Sequence, residues 1–160
     1  MIYTSYFAAM RKMTDEQKAR CMSVARWTPK GISIPINTML VPAPDILRKF
    51  KENGNQEAFA AAYMAMLEFR DPYAKATAKS MNDHILCCFE KPSDFCHRHI
   101  LAQWLRDNGY KCEEFMTLDR NKKNGKQYFN STNTLHCRNA EEYRYSDFLM
   151  PDANKKIMMR

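Results

Sequence analysis

The chain has 160 residues, 45% of them apolar and 27% charged, and carries a net charge of +7. This length is one domain with a sizeable core, and the composition excludes a disordered or fibrous chain. The positive balance favours an anionic partner, a nucleotide or nucleic acid, and no apolar run approaches the roughly 20 residues of a membrane span.

In chain order, residues 2–5 read as a short first strand and Tyr6 to Met13 as a short helix or turn. Residues 20–26 form a second strand candidate, stopped by Trp27-Thr-Pro29. Residues 28–44 hold four of the seven prolines, together with Gly31, and so read as an ordered loop over the surface. From Pro44 to Gly54, the residues Ile46, Leu47 and Phe50 share a helical face, with proline suited to the first turn and glycine to the stop. Asn55 caps a second helix over 56–70, and Asp71-Pro72 breaks it before a third helix reaches Met81.

Residues 85–89 are an unbroken apolar strand. A polar loop and an amphipathic helix follow, capped by Asp94, ended by Gly109, with Ile100, Leu101, Trp104 and Leu105 as its buried stripe. Residues 111–115 form a fourth strand. The alternation of strands and helices predicts an α/β fold of one domain with a mainly parallel sheet and right-handed crossovers. Residues 1–118 are expected as the core domain and residues 119–160 as an extension packed on it, with about the last ten residues flexible.

Six cysteines do not read as a disulfide framework, since Cys87 and Cys88 are adjacent in a strand and point to opposite faces. Met1-Ile-Tyr-Thr-Ser has no secretory character, so reduced thiols and a cytoplasmic setting are expected, without a membrane partner.

The chemistry concentrates between Glu90 and Arg98. Glu90 ends a strand, and Cys96, His97 and Arg98 open a helix. The positive helix end, with His97 and Arg98, favours the thiolate of Cys96, a candidate nucleophile. Free N–H groups beside an arginine also suit a phosphate, which is the stronger reading. Glu90 is a candidate general base or an orienter of His97. Arg98 follows Cys96 by two positions, so the Cys-x5-Arg phosphatase loop is absent. No Gly-rich phosphate loop occurs either. Cys88, Cys96, His97, His99, Cys112, His136 and Cys137 offer metal ligands, but without a Cys-x2-Cys pair zinc is disfavoured, and no metal or cofactor is assigned.

The run Leu86-Cys-Cys-Phe-Glu-Lys-Pro-Ser-Asp-Phe-Cys-His-Arg-His-Ile-Leu-Ala resembles the signature of the domain-of-unknown-function family numbered 488. Tyr3-Thr-Ser-Tyr-Phe7 and Val24-Ala-Arg26 are similar to its other motifs, and the resemblance covers roughly residues 1–115. It implies a Rossmann-like three-layer fold of unestablished activity, with Glu90, Cys96, His97 and Arg98 matching the family's motif. In a parallel sheet Ser5, Tyr6, Arg26 and Glu90 would all stand at strand carboxyl ends, where open α/β sheets bind ligands. Ser5, Tyr6, Arg26 and Arg98 are thus expected to bind an anionic ligand such as a nucleotide or nucleic-acid end, with hydrolase or transferase chemistry at Cys96, Glu90 and His97. Two alternatives stand beside this. One is a non-catalytic nucleic-acid-binding module that uses Lys122, Lys123, Lys126, Arg138 and Arg144 with Tyr128, Phe129, Tyr143 and Tyr145. The other is an inhibitor or interaction protein on the same scaffold.

Overall fold

A computed structural model describes residues 1–91, 94–118 and 127–129, with backbone alone for 116–118 and 127–129. The expected extension over 119–160, its basic aromatic surface and its flexible end lie outside the described residues, apart from Gln127–Phe129. Four strands, β1 (Ile2–Tyr6), β2 (Cys21–Ser23), β3 (Ile85–Cys88) and β4 (Cys112–Glu114), form one sheet in the order β2-β3-β1-β4. Every pair in it is parallel. A separate antiparallel pair, β5 (Met116–Leu118) and β6 (Gln127–Phe129), was not anticipated from the sequence.

All four residues of β3 are buried, which explains its unbroken apolar run: a central parallel strand is covered on both faces. Register and strand alternation place Thr4, Tyr6, Leu86, Cys88 and Glu114 on one face of the sheet. Tyr3, Ser5, Ile85, Cys87, Cys21 and Ser23 lie on the other. A 3-10 helix (Phe7–Lys12) and α1 (Asp15–Ala19) join β1 to β2. The helices α2 (Pro44–Asn53), α3 (Gln56–Phe69) and α4 (Tyr73–Ser80) join β2 to β3, and α5 (His97–Asp107) joins β3 to β4. The first connection runs opposite to the other two across the sheet. Right-handed crossovers therefore put the 3-10 helix and α1 on one face and α2–α5 on the other, a three-layer Rossmann-like arrangement.

Several element ends follow local chemistry. The helix α1 starts from a capping box in which Thr14 accepts from the Gln17 N–H and Gln17 accepts from the Thr14 N–H. The pattern Thr-Asp-Glu-Gln is its sequence signal, unused in the sequence reading. The helix α2 begins on Pro44 and stops at Gly54, whose φ of 62° is left-handed, and Asn55 caps α3 through the Ala58 N–H, as expected. The second strand is shorter than residues 20–26, because the Ser23 hydroxyl bonds both the N–H and the carbonyl of Ala25 and turns the chain. The proline-rich loop then returns along this edge, with Ser23 N–H donating to Pro35 and Asn37 N–H to Ser23.

The helix α5 also begins later than expected. Asp94 lies in the preceding loop, where its N–H closes a turn on Lys91. Cys96 takes the N-cap position with extended backbone and no side-chain capping bond. At the other end the Gly109 N–H reaches Arg106 and the Tyr110 N–H reaches Leu105, the paired bonds of a Schellman stop. Phe50, Phe59 and Phe95 pack at centroid distances of 5.0–5.6 Å, pinning α2 and α3 to the loop before α5.

Among the described residues no helix is long and apolar enough to cross a membrane, and the five cysteines are free thiols. Leu86 is 0% exposed in β3 while Phe69 is 90% exposed at the end of α3. Leu86→Ala is expected to lower the unfolding free energy by about 2–5 kcal/mol through lost burial and a cavity, and Phe69→Ala to change it by less than about 0.5 kcal/mol. Urea denaturation of both variants checks the contrast.

Candidate functional site

The chain leaves β1 toward one side of the sheet and leaves β3 toward the other, although the two strands are neighbours. Their carboxyl ends therefore part at a topological switch point, the place where open α/β sheets form a crevice. Tyr6 pairs with Cys88 at this edge, and Phe89 and Glu90 continue beyond it.

The side chain of Arg98 enters the protein rather than the crevice. It is 0% exposed and donates from Nη2 to Glu114 Oε1 at 3.3 Å and from Nη1 to the Glu90 carbonyl at 2.6 Å. Glu114 also accepts from the Thr4 hydroxyl at 2.7 Å. The Tyr6 ring covers the guanidinium at 6.0 Å. Burial opposes the charge on Arg98, but the Glu114 carboxylate beside it overcomes this and raises its pKa. Burial likewise raises the Tyr6 hydroxyl, with Glu114 adding to the effect and Arg98 opposing it. Arg98 thus ties the start of α5 to β4, β1 and the end of β3.

His97 lies about 100° around the helix from Arg98 and points toward the end of β2. Its Nε2 is 2.7 Å from the Val24 carbonyl. A carbonyl only accepts, so Nε2 carries the proton and Nδ1 keeps its lone pair in the neutral ring. The Tyr63 ring meets the imidazole edge-on at 5.5 Å, and Tyr63 is itself anchored by its hydroxyl on the Leu40 carbonyl at 2.6 Å. Cys88 Sγ lies 3.7 Å from His97 Nδ1 and 3.4 Å from Glu90 Oε2.

Cys96 is buried beneath this group. Burial pushes its thiol well above the ordinary value of 9.0, the hydrogen bond and charge of Cys88 add to the rise, and Arg98 and His97 oppose it. The thiolate favoured by the sequence argument therefore meets a larger opposing effect, loss of water, and the thiol is kept neutral.

A cleft of about 420 Å³ opens where β2 and β3 end against α2. The buried Cys88 and His97 form its floor, and the exposed Glu90, Arg26, Trp27, Arg48 and Lys51 stand around it. Trp27 is 58% exposed, with the Lys51 ammonium 5.8 Å from its ring centroid. Of the residues expected to converge, Arg26, Glu90 and His97 meet in this cleft. Tyr6 and Arg98 lie together on the same sheet face, the half-buried Tyr6 ring over the buried guanidinium, and neither lines the cleft. Ser5 is fully buried on the opposite face, because neighbouring strand residues alternate. Trp27, Arg48, Lys51 and Glu114 escaped the sequence reading. For Glu114 the signal was a carboxylate at an inward position of β4, which requires a buried partner. A larger groove of about 800 Å³ between Phe7, Lys30, Ile32 and Phe89 faces the other layer and contains neither His97 nor Glu90.

A family model named DUF488-N3a, described as the active DUF488-N3 subclade, matches residues 5–109, from β1 through the end of α5. The chain belongs to the DUF488 family. No curated protein and no solved structure matches it. The DUF488 span contains the carboxyl ends of β1, β2 and β3 and the whole of α5, whereas β4 with Glu114 and the pair β5–β6 lie beyond it.

Removing Arg98 would strand a buried carboxylate. Arg98→Ala is therefore expected to cost about 3–5 kcal/mol, part of it recovered when Glu114→Gln is added, as read by chemical denaturation of the single and double variants. The thiols give a pH signature. Burial raises Cys96 well above its ordinary value and pushes Cys112 up to about 12, so the unfolded chain loses these protons first, from about pH 9 upward. The folded state then binds more protons, and stability falls as pH rises from 9 toward 12. Denaturation midpoints across this window check the sign, and iodoacetamide should label Cys96 slowly at neutral pH until the chain unfolds.

Proposed function

We propose that the chain binds a nucleotide or a phosphorylated nucleic-acid end in the cleft between the ends of β2, β3 and α2, and acts on it by hydrolysis or group transfer. The observation that carries this reading is the union in one cleft of an exposed indole, the cations Arg26, Arg48 and Lys51, and the Glu90 carboxylate. An indole offers a stacking face for a base. The guanidinium groups suit phosphate oxygens, and a carboxylate accepts from sugar hydroxyls or removes a proton from an attacking water. The cleft lies outside the carboxyl ends of β2 and β3, beside the switch point between β3 and β1 rather than at it. The description of the matched subclade as active favours chemistry as well as binding.

The roles differ from those suggested by residue order alone. Glu90 faces the cleft and is the general base of this proposal. His97 lines the floor and is held by Val24. Cys96, buried and kept protonated, is not its nucleophile. Arg98 supports the site by holding the Glu90 carbonyl, so Arg26 and Arg48 take the phosphate instead.

Calorimetric titration with nucleoside mono- and diphosphates tests the binding. Arg26→Ala and Arg48→Ala should each weaken it about 10- to 100-fold through loss of a charge-assisted contact, with little change in melting temperature because both side chains are exposed. Glu90→Gln should retain binding and lose turnover. Absence of saturable nucleotide binding, or binding indifferent to both arginine variants, would overturn the proposal.

A further inference from the structure

Behind the cleft floor, the ligand atoms of Cys88, Cys96 and His97 lie within 4.8 Å of one another, and all three residues are buried. We propose that these side chains form a binding site for a thiophilic divalent cation of the zinc class, with its fourth coordination position opening on the cleft beside Glu90. The inference goes beyond the nucleotide reading and does not depend on it.

The donor set fits such an ion. Two thiolates and an imidazole are soft to borderline ligands, and with three protein ligands and one open position they match the pattern of catalytic rather than structural zinc. Zinc–sulfur and zinc–nitrogen bonds in a tetrahedron separate sulfur from nitrogen by about 3.6 Å. The distance from Cys88 Sγ to His97 Nδ1 is already 3.7 Å. The imidazole is prepared for the role, since its Nε2–H is held by the Val24 carbonyl at 2.7 Å and leaves Nδ1 available. A backbone carbonyl on the far nitrogen is the usual outer partner of a metal-bound histidine, and Tyr63 fixes the ring plane from the side.

Charge also agrees with burial. Two thiolates neutralise a divalent ion, so the bound group is neutral overall in a site that disfavours net charge. Binding forms two metal–sulfur bonds and one metal–nitrogen bond, and the two displaced thiol protons pass to solvent without a change of oxidation state. Cys88 and His97 also line the cleft, whereas Cys96 stands behind it, which leaves the open position on the cleft side. Glu90 Oε2, 3.4 Å from Cys88 Sγ, flanks that side. The sequence spacing disfavours zinc because it lacks a Cys-x2-Cys pair. The ligands here come instead from the end of β3 and the start of α5, brought together by the crossover between them.

The full-length chain, reduced and metal-stripped, would be titrated with Co²⁺ and then Zn²⁺ without nucleotide. The expected result is one Co²⁺ per chain, with thiolate-to-cobalt charge-transfer absorption and the intense visible bands of a tetrahedral centre, displaced by Zn²⁺ with proton release. Cys88→Ala and Cys96→Ala should abolish the charge-transfer band, while a combined His136→Gln, Cys137→Ala variant keeps it. In the unaltered chain Zn²⁺ should protect Cys88 and Cys96 from alkylation, mapped by mass spectrometry, which needs no variant to fold. Absence of a thiolate band in the reduced chain, its survival in both cysteine variants, its loss in the His136/Cys137 variant, or unchanged alkylation would overturn the site. Nucleotide titration of the zinc-free chain reports separately on the cleft.

Discussion

The ion pair between Arg98 and Glu114 is the constraint on which the rest of the strand-end architecture depends. Both side chains are withdrawn from water, and a charge in that position is tolerated only if its partner and its hydrogen bonds are in place. Glu114 comes from β4 and accepts a second bond from Thr4 on β1, and the guanidinium comes from the first turn of α5 and also donates to the Glu90 carbonyl. One side chain therefore fixes the position of a helix against two strands and the exit of a third. With α5 so anchored, the 100° step to His97 aims the imidazole at Val24 and Cys88.

Adjacent residues thus divide the structural and chemical tasks. Arg98 and Cys96 belong to the interior: Glu114 more than offsets the cost of burying the guanidinium charge, whereas Arg98 and His97 only partly offset the burial that keeps the Cys96 thiol protonated. His97 stands at the boundary, and Glu90 is exposed. The positive charges around the cleft come from elements that the buried pair does not touch, the turn after β2 and the outer face of α2. The scaffold can hold its geometry while the cleft's surface residues set what is recognised.

Much of the fold was legible because its signals are local. The 3.6-residue spacing of Ile46, Leu47 and Phe50, the caps Asn55 and Gly54, and the apolar run of β3 each dictate an element without reference to the remainder. The capping box at Thr14 was equally local and was overlooked. The extent of β2 was not local, since it ends through a hydroxyl turn at Ser23 and the return of the proline-rich loop. In the site, strand alternation alone separates Ser5 from Tyr6. No local pattern could join Trp27, Arg48 and Lys51 to Glu90, because they meet only after the crossover from β2 to β3 brings α2 over the sheet edge.

The sequence by itself determined a parallel α/β sheet, its helices, and the gathering of Glu90, Cys96, His97 and Arg98 within one strand–loop–helix unit, because spacing, capping and burial of apolar faces act over a few residues. Only the tertiary structure decided which of these side chains meets water. Arg98 found its carboxylate sixteen residues away on another strand, Cys96 lost its solvent, and Arg26 joined Glu90 across the ends of β2 and β3. Desolvation and charge pairing depend on the whole set of packed neighbours, and that set exists only once the layers have closed on the sheet.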